Sequence, residues 1–167
     1  MAQFSLVGMA PPILLAVPNV SEGRDSAVIG EIAQAFSGDG TDRAVRLLDV
    51  HSDADHHRSV ITLAGPPGRL ADALLRGARA AVQRIDVMSA RGPDGLAVGQ
   101  HPHVGALDVA PIVYVDLADR GAACAEALVV ADRVGSELDV PVFLYGELAG
   151  GVAAMLGTTP ALGLGHA

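Results

Sequence analysis

Apolar residues fall along this chain in short runs and in helically spaced stripes, with polar, glycine-rich and proline-rich breaks between them. Pro12–Val17 is a run of Leu, Ile, Ala and Val that reads as a first strand. It leads into the turn-rich segment Pro18-Asn19-Val20-Ser21-Glu22-Gly23. Ile29, Ile32, Ala33 and Phe36 recur at the spacing of one helical face. Asp25 or Ser26 suits the N-cap of that helix, and Ser37-Gly38-Asp39-Gly40 suits its end. Val45–Val50 and Ser59–Ala64 read as two strands of a hairpin around the polar loop His51–His57. After Gly65-Pro66-Pro67-Gly68 a helix is predicted from about Leu70 to Ile85, with Leu70, Ala73, Leu74, Ala81, Val82 and Ile85 on one side. Ser89–Gln100 has no periodicity and reads as an exposed loop. Then follow a strand over Ala106–Val115, a helix over Ala122–Leu138 and a fifth strand over Val140–Tyr145.

The order β-α-β-β-α-β-α-β mixes a hairpin with helical crossovers. It predicts an α+β fold, a mixed β-sheet with helices packed on it in ferredoxin-like order. One domain is expected over residues 11–148. Residues 1–10 read as a disordered leader, with Met9 an alternative start. Residues 149–167, nearly without charge, read as a divergent C-terminal tail with no assigned element.

A length of 167 residues, half of them hydrophobic, suits a single globular domain with a core of Val, Leu, Ile and Ala. The formal net charge of −8 and the lack of a lysine-rich run argue against a nucleic-acid surface or an anionic-membrane binder. Met9–Val17 is too short for a membrane span and carries Pro11 and Pro12, and no basic segment marks a secretory signal. The lone Cys124 excludes an intrachain disulfide and a cysteine-rich zinc site. It is expected as a buried structural thiol, in keeping with a cytoplasmic protein.

Three constellations can carry chemistry. Asn19, Ser21, Glu22 and Gly23 follow the first strand, where ligand-lining loops commonly sit; the plainer reading is a turn with a helix cap. In His51-Ser52-Asp53-Ala54-Asp55-His56-His57-Arg58, alternating His and Asp side chains at a strand edge suit metal ligation, or simply a polar hairpin tip. His101 and His103 sit on a proline-stiffened loop that feeds a core strand. An imidazole there, with an ordinary pKa of about 6.5, suits proton transfer near neutrality, unless both rings are merely solvated. Dinucleotide, P-loop, zinc-protease and serine-hydrolase motifs are absent from the sequence.

Taken together, VPNVSEGRD, LLDVHSDADHHRSVITLAGPP, GQHPHVGALDVAPIVYV and ELDVPVFLYGE resemble, in order and spacing, the N-terminal subdomain of the glutamate formiminotransferase family. The resemblance spans roughly Leu14 to Leu148. It implies a metal-free transferase of histidine breakdown and one-carbon metabolism, moving a formimino group between N-formiminoglutamate and N5 of tetrahydrofolate, the folate being a co-substrate. The family's catalytic histidine lies in a G-E-H-P-R-x-G-A-x-D motif, which here runs from Gly99 to Asp108, so His101 is the implied proton shuttle. Pro102 biases His101 to extended backbone. The implied folate and substrate positions are Asn19, Ser21, Glu22, His51, Asp53, Arg58, His103 and Asp108. Arg58 would offer a fork to a carboxylate, and Asp108 would orient the imidazole or cap a strand.

The chain departs from the family pattern at Gln100 and His103, which replace a Glu and an Arg, in the longer loop Arg91–Val98, and in the uncharged tail. The family's second subdomain lies outside the 167 residues. These departures leave three readings: a small transferase, working alone, as a homo-oligomer or with a separate C-terminal subdomain; a folate-binding module without turnover; and a metal-dependent hydrolase using His51–His57.

Overall fold

Two prolines set the local plan of the sheet. In the computed structural model, which describes residues 12–38, 44–88, 99–100 and 104–149, Pro18 splits the first apolar run into β1 (Leu14–Ala16) and β2 (Asn19–Val20). Pro111 splits the run Ala106–Val115 into β5 (Leu107–Val109) and β6 (Ile112–Tyr114). A proline has no N–H for the ladder, so each run breaks there. The breaks lie side by side: Val17 N–H donates to the Pro111 carbonyl at 3.0 Å, and Ile61 N–H donates to that of Pro18 at 2.9 Å.

The hairpin of β3 (Arg46–Asp53) and β4 (Arg58–Gly65) is longer than its apolar pattern, because His51, Ser52 and Asp53 continue the ladder opposite Val60, Ser59 and Arg58. Across the sheet β3 pairs with β4, β4 with β1 and β2, β1 with β6, and β2 with β5. The expected α+β architecture is present. The sheet, however, is antiparallel in every pairing among the described residues, where a mixed sheet was expected. The reason is topological. β1 and β3, joined through a helix, run parallel but have β4 between them; β4 and β6 run parallel but have β1 between them.

Three helices, α1 (Ser26–Ser37), α2 (Leu70–Arg84) and α3 (Arg120–Leu138), pack together on one face of this sheet. Asp25 is the N-cap of α1, accepting from the Ala27 and Val28 amides, and Gly38 ends it at φ +79°. The face Ile29, Ile32, Ala33 and Phe36 is buried as its spacing predicts, and Ile32 and Phe36 join one core cluster with Leu14, Ala16, Val20, Ile61 and Leu63 from the strands and Leu70, Leu74 and Ala81 from α2. Gly77 is where α2 lets α1 approach, since a Cβ there would overlap the Phe36 ring. Val82, expected on the buried side of α2, is exposed; Ala71, Leu75 and Ala78 take up the buried arc instead.

Alternation leaves Leu15, Asn19, Arg58, Val60, Thr62 and Val113 on the opposite face, which no described helix covers. The expected strand Val140–Tyr145 forms no ladder among the described residues. Pro141 lacks a donor, and Val142, Phe143 and Tyr145 are exposed. Cys124 is half-buried rather than buried, 3.7 Å from a Glu147 carboxylate oxygen. No described helix is long and apolar enough to cross a membrane. The leader 1–10 and most of the tail, 150–167, lie outside the described residues.

Candidate functional site

Strand β2 and the turn after it, Asn19–Gly23, lie between the β3–β4 hairpin tip on one side and Gly105–Asp108 on the other. Ser21 is tied to the second of these. Its N–H donates to the Ala106 carbonyl at 3.0 Å and its hydroxyl to the Gly105 carbonyl at 2.7 Å. The hairpin is tied from the other side, where the fully buried Ser59 hydroxyl donates to the Glu22 carbonyl at 2.6 Å and lies 2.9 Å from the Ser52 hydroxyl. The Glu22 carboxylate accepts from the Arg24 and Asp25 amides at 2.7 and 3.0 Å, bending the chain into α1. Gly23 packs so closely on the hairpin that a Cβ would overlap the Asp53 carbonyl and the Arg58 amide.

On the sheet face opposite the helices, Arg58 joins both sides of β2. Its Nε donates to Asn19 Oδ1 at 3.0 Å, and its Nη2 lies 3.3 Å from Asp108 Oδ2. The Asp108 side chain is 8% exposed and that of Arg58 19%. The other Asp108 oxygen accepts the Val104 N–H at 3.1 Å. The fork of Arg58 thus meets a carboxylate of this chain, and Asp108 fastens the loop that precedes its strand.

The hairpin tip is built by Asp53. Its carboxylate accepts from the Asp55 and His56 amides and lies 2.7 Å from His56 Nδ1. Those contacts, led by the His56 amide, hold its pKa below the usual aspartate value. His51 projects from the ladder opposite Val60 and is exposed. His57 turns inward at φ +53°, 9% exposed, with Nδ1 accepting the Gly23 N–H at 3.2 Å and 3.4 Å from Glu22 Oε1. The histidines of this tip therefore face different partners, and among the described residues no group of three or more His, Cys, Asp or Glu side chains is arranged to hold a metal ion.

His101 and His103 lie outside the described residues, but both flanks of their segment are described. On one flank Gln100 N–H donates to the Asp55 carbonyl at 3.0 Å, and Gly99, at φ +115°, rests on His56 and His57. On the other flank Val104 is held by Asp108. The structure thus gathers Asn19, Ser21, Glu22, Asp53, Arg58 and Asp108 around the two flanks, with His51 further along β3. Sequence reasoning passed over Ser59, placed Gly23 and Gly99 only within their loops, and took His57 as part of the His51–His57 cluster. The glycines stand inside the quoted motifs and carried the signal of close backbone approach. Nothing in the sequence marks the inward turn of His57. Together the cluster presents an amide, a paired guanidinium and carboxylates to one side of the sheet, a set suited to orienting a polar, charged small molecule.

Residues 13–154 match the family described as "Formiminotransferase domain, N-terminal subdomain". The chain is similar to glutamate formimidoyltransferase of Thermoplasma acidophilum, 38% identical over 133 residues that cover 80% of this chain and 41% of that protein. It is 39% identical to the Streptococcus pyogenes serotype M1 protein of that name over 82% of this chain and 42% of the relative. With formimidoyltransferase-cyclodeaminase of Sus scrofa the identity is 41%, over 80% of this chain and 23% of the relative. The chain therefore spans about two fifths of the length of the first relatives and about a quarter of the last.

Proposed function

The chain belongs to the formiminotransferase N-terminal subdomain family, and we propose that it forms one half of a site transferring a formimino group between N-formiminoglutamate and N5 of tetrahydrofolate. The observation that carries this reading is the anchoring of both flanks of residues 101–103, by the Asp55 carbonyl and by Asp108, in the cluster that holds Asn19 and Arg58.

The chemistry asked of the protein is proton movement. The N5 amine attacks the formimino carbon, the carbon–nitrogen bond to glutamate breaks, N5 loses a proton and the departing amine gains one. A single imidazole at His101 performs both transfers in turn. His103, His51 and the Asn19–Arg58–Asp108 group would line the folate and formiminoglutamate. Because this chain spans about two fifths of the glutamate formimidoyltransferases, the uncovered sheet face is assigned to the remainder of the site, supplied by a separate C-terminal subdomain or by a second copy, in the cytoplasm and without a metal.

Calorimetric titration of the purified chain with folinate, a stable reduced folate, tests the reading, alongside a transfer assay with and without a separately produced second subdomain. Saturable binding, and transfer abolished by His101→Ala, are expected. Undiminished transfer in that variant overturns the shuttle role. Binding with no transfer under any arrangement leaves a folate-binding module.

A further inference from the structure

Three segments meet at the tip of the β3–β4 hairpin, and two of them meet it through glycine. On one side is Gly23, where a Cβ would overlap the Asp53 carbonyl and the Arg58 amide. On the other is Gly99, where a Cβ would come within 2.8 Å of the His56 carbonyl oxygen and of the His57 Cβ. The tip between them, Asp53–Arg58, is thus clasped by backbone on both sides. His57 fills the clasp. Its φ of +53° is a conformation that a non-glycine residue seldom takes, and it turns the ring inward to 9% exposure. There Nδ1 accepts the Gly23 N–H at 3.2 Å. One residue beyond Gly99, the Gln100 N–H is bonded to the Asp55 carbonyl of the same tip.

We propose that His57 is a positioning residue: by holding Gly23 with its ring and, next to the His56 carbonyl, meeting Gly99 at its own Cβ, it fixes the placement of Gly99 and Gln100, the two residues that precede His101 in the sequence. This deepens the functional reading above and rests on it only for what His101 does. The clasp itself is a statement about Gly23, His57, Gly99 and Gln100. Asparagine is the conservative replacement, since it enters the left-handed region more readily than most residues and its short amide offers an acceptor.

Amide hydrogen exchange on the full chain, read by NMR, tests the clasp without reference to activity. His57→Ala should speed exchange at Gly23 and Gln100 by roughly tenfold, the scale of a lost hydrogen bond, while Ile32 in α1 stays unchanged. His57→Asn should restore most of the protection. Faster exchange at Gly23 with Gln100 unchanged overturns the proposal. Should His57→Ala loosen Ile32 as well, Gly99→Ala decides: it should speed Gln100 alone, and wild-type exchange at Gln100 in that variant defeats the idea. Folinate titration of the same variants separates the two claims. Absence of folinate binding in the wild type counts against the functional reading and leaves the exchange result to judge the clasp. Binding weakened by His57→Ala and recovered by His57→Asn supports both.

Discussion

Asp108 grips Arg58 with one carboxylate oxygen, 3.3 Å from Nη2, and the Val104 amide with the other. The pair is largely shielded, with side-chain exposures of 8% and 19%. Removing one partner of a fully buried pair costs about 3–5 kcal/mol. The residual exposure of Arg58 lowers this to an expected cost of about 2 kcal/mol for Asp108→Ala. Asp108→Asn, which keeps an acceptor for Val104, should cost less. Urea unfolding of the variants checks the order, and equal stabilities would show that the pair contributes nothing.

Glu126 supplies what α2 lacks at its own start. Arg69 at the N-cap makes no side-chain capping bond. The 4%-exposed Glu126 on α3 instead accepts from the Gly68 and Ala71 amides, both at 2.6 Å. A carboxylate at a helix N-terminus satisfies orphan donors and meets the positive end of the dipole. Glu126→Ala should therefore destabilise the fold by roughly 2–4 kcal/mol, and Glu126→Gln by less. Thermal unfolding with intact α1 signals would check this; a neutral Glu126→Ala would show that water caps α2 equally well.

Local patterns were the legible part of the sequence. The cap at Asp25, the face Ile29–Phe36 and the hairpin follow from residues close in the chain, whose spacing decides their burial. Asn19, Arg58 and Asp108 were singled out separately, each within its own motif. Their contact depends on β2 lying between β4 and β5, and strand order is not written in any one segment. Val140–Tyr145 shows the limit from the other side. Its residue types favour a strand, but a strand needs a neighbour, and none of the described strands pairs with it. The inward turn of His57 was hidden for a different reason: a positive φ is rare in a histidine, and the glycines that approach it, Gly23 and Gly99, are distant from it in the chain.

Glu147 carries the pH dependence. Its carboxylate is bonded by Arg120 and by the Tyr114 hydroxyl, at 2.8 Å for the latter. These bonds, the Arg120 one foremost, hold its pKa below the usual glutamate value of 4.5. A group whose folded pKa is lowered adds stability above its unfolded pKa and loses it as pH falls through the folded one. The link between β6, α3 and the Gly146–Leu148 turn should therefore be intact at neutral pH and weaken progressively below about pH 4.5. Unfolding midpoints of wild type and Glu147→Gln should differ at pH 7 and converge in acid. Parallel curves throughout would remove Glu147 from the account.

Gly77→Ala sets two effects against each other. Alanine in a helix interior is favoured over glycine by about 1 kcal/mol. Here, however, the added methyl would overlap the Phe36 ring, which is fully buried and cannot retreat into solvent. Overpacking a filled core costs about 1–3 kcal/mol, so the steric term should win and the variant should be less stable than wild type. Phe36→Leu alone should also destabilise, through the space it leaves. On the Gly77→Ala background the same change should cost less, because the methyl fills part of that space. A double-mutant cycle by urea unfolding should then show coupling of about 1 kcal/mol or more. Additive losses would mean that α1 shifts as a body to admit the methyl, and that the Phe36–Gly77 contact does not set the spacing of the two helices.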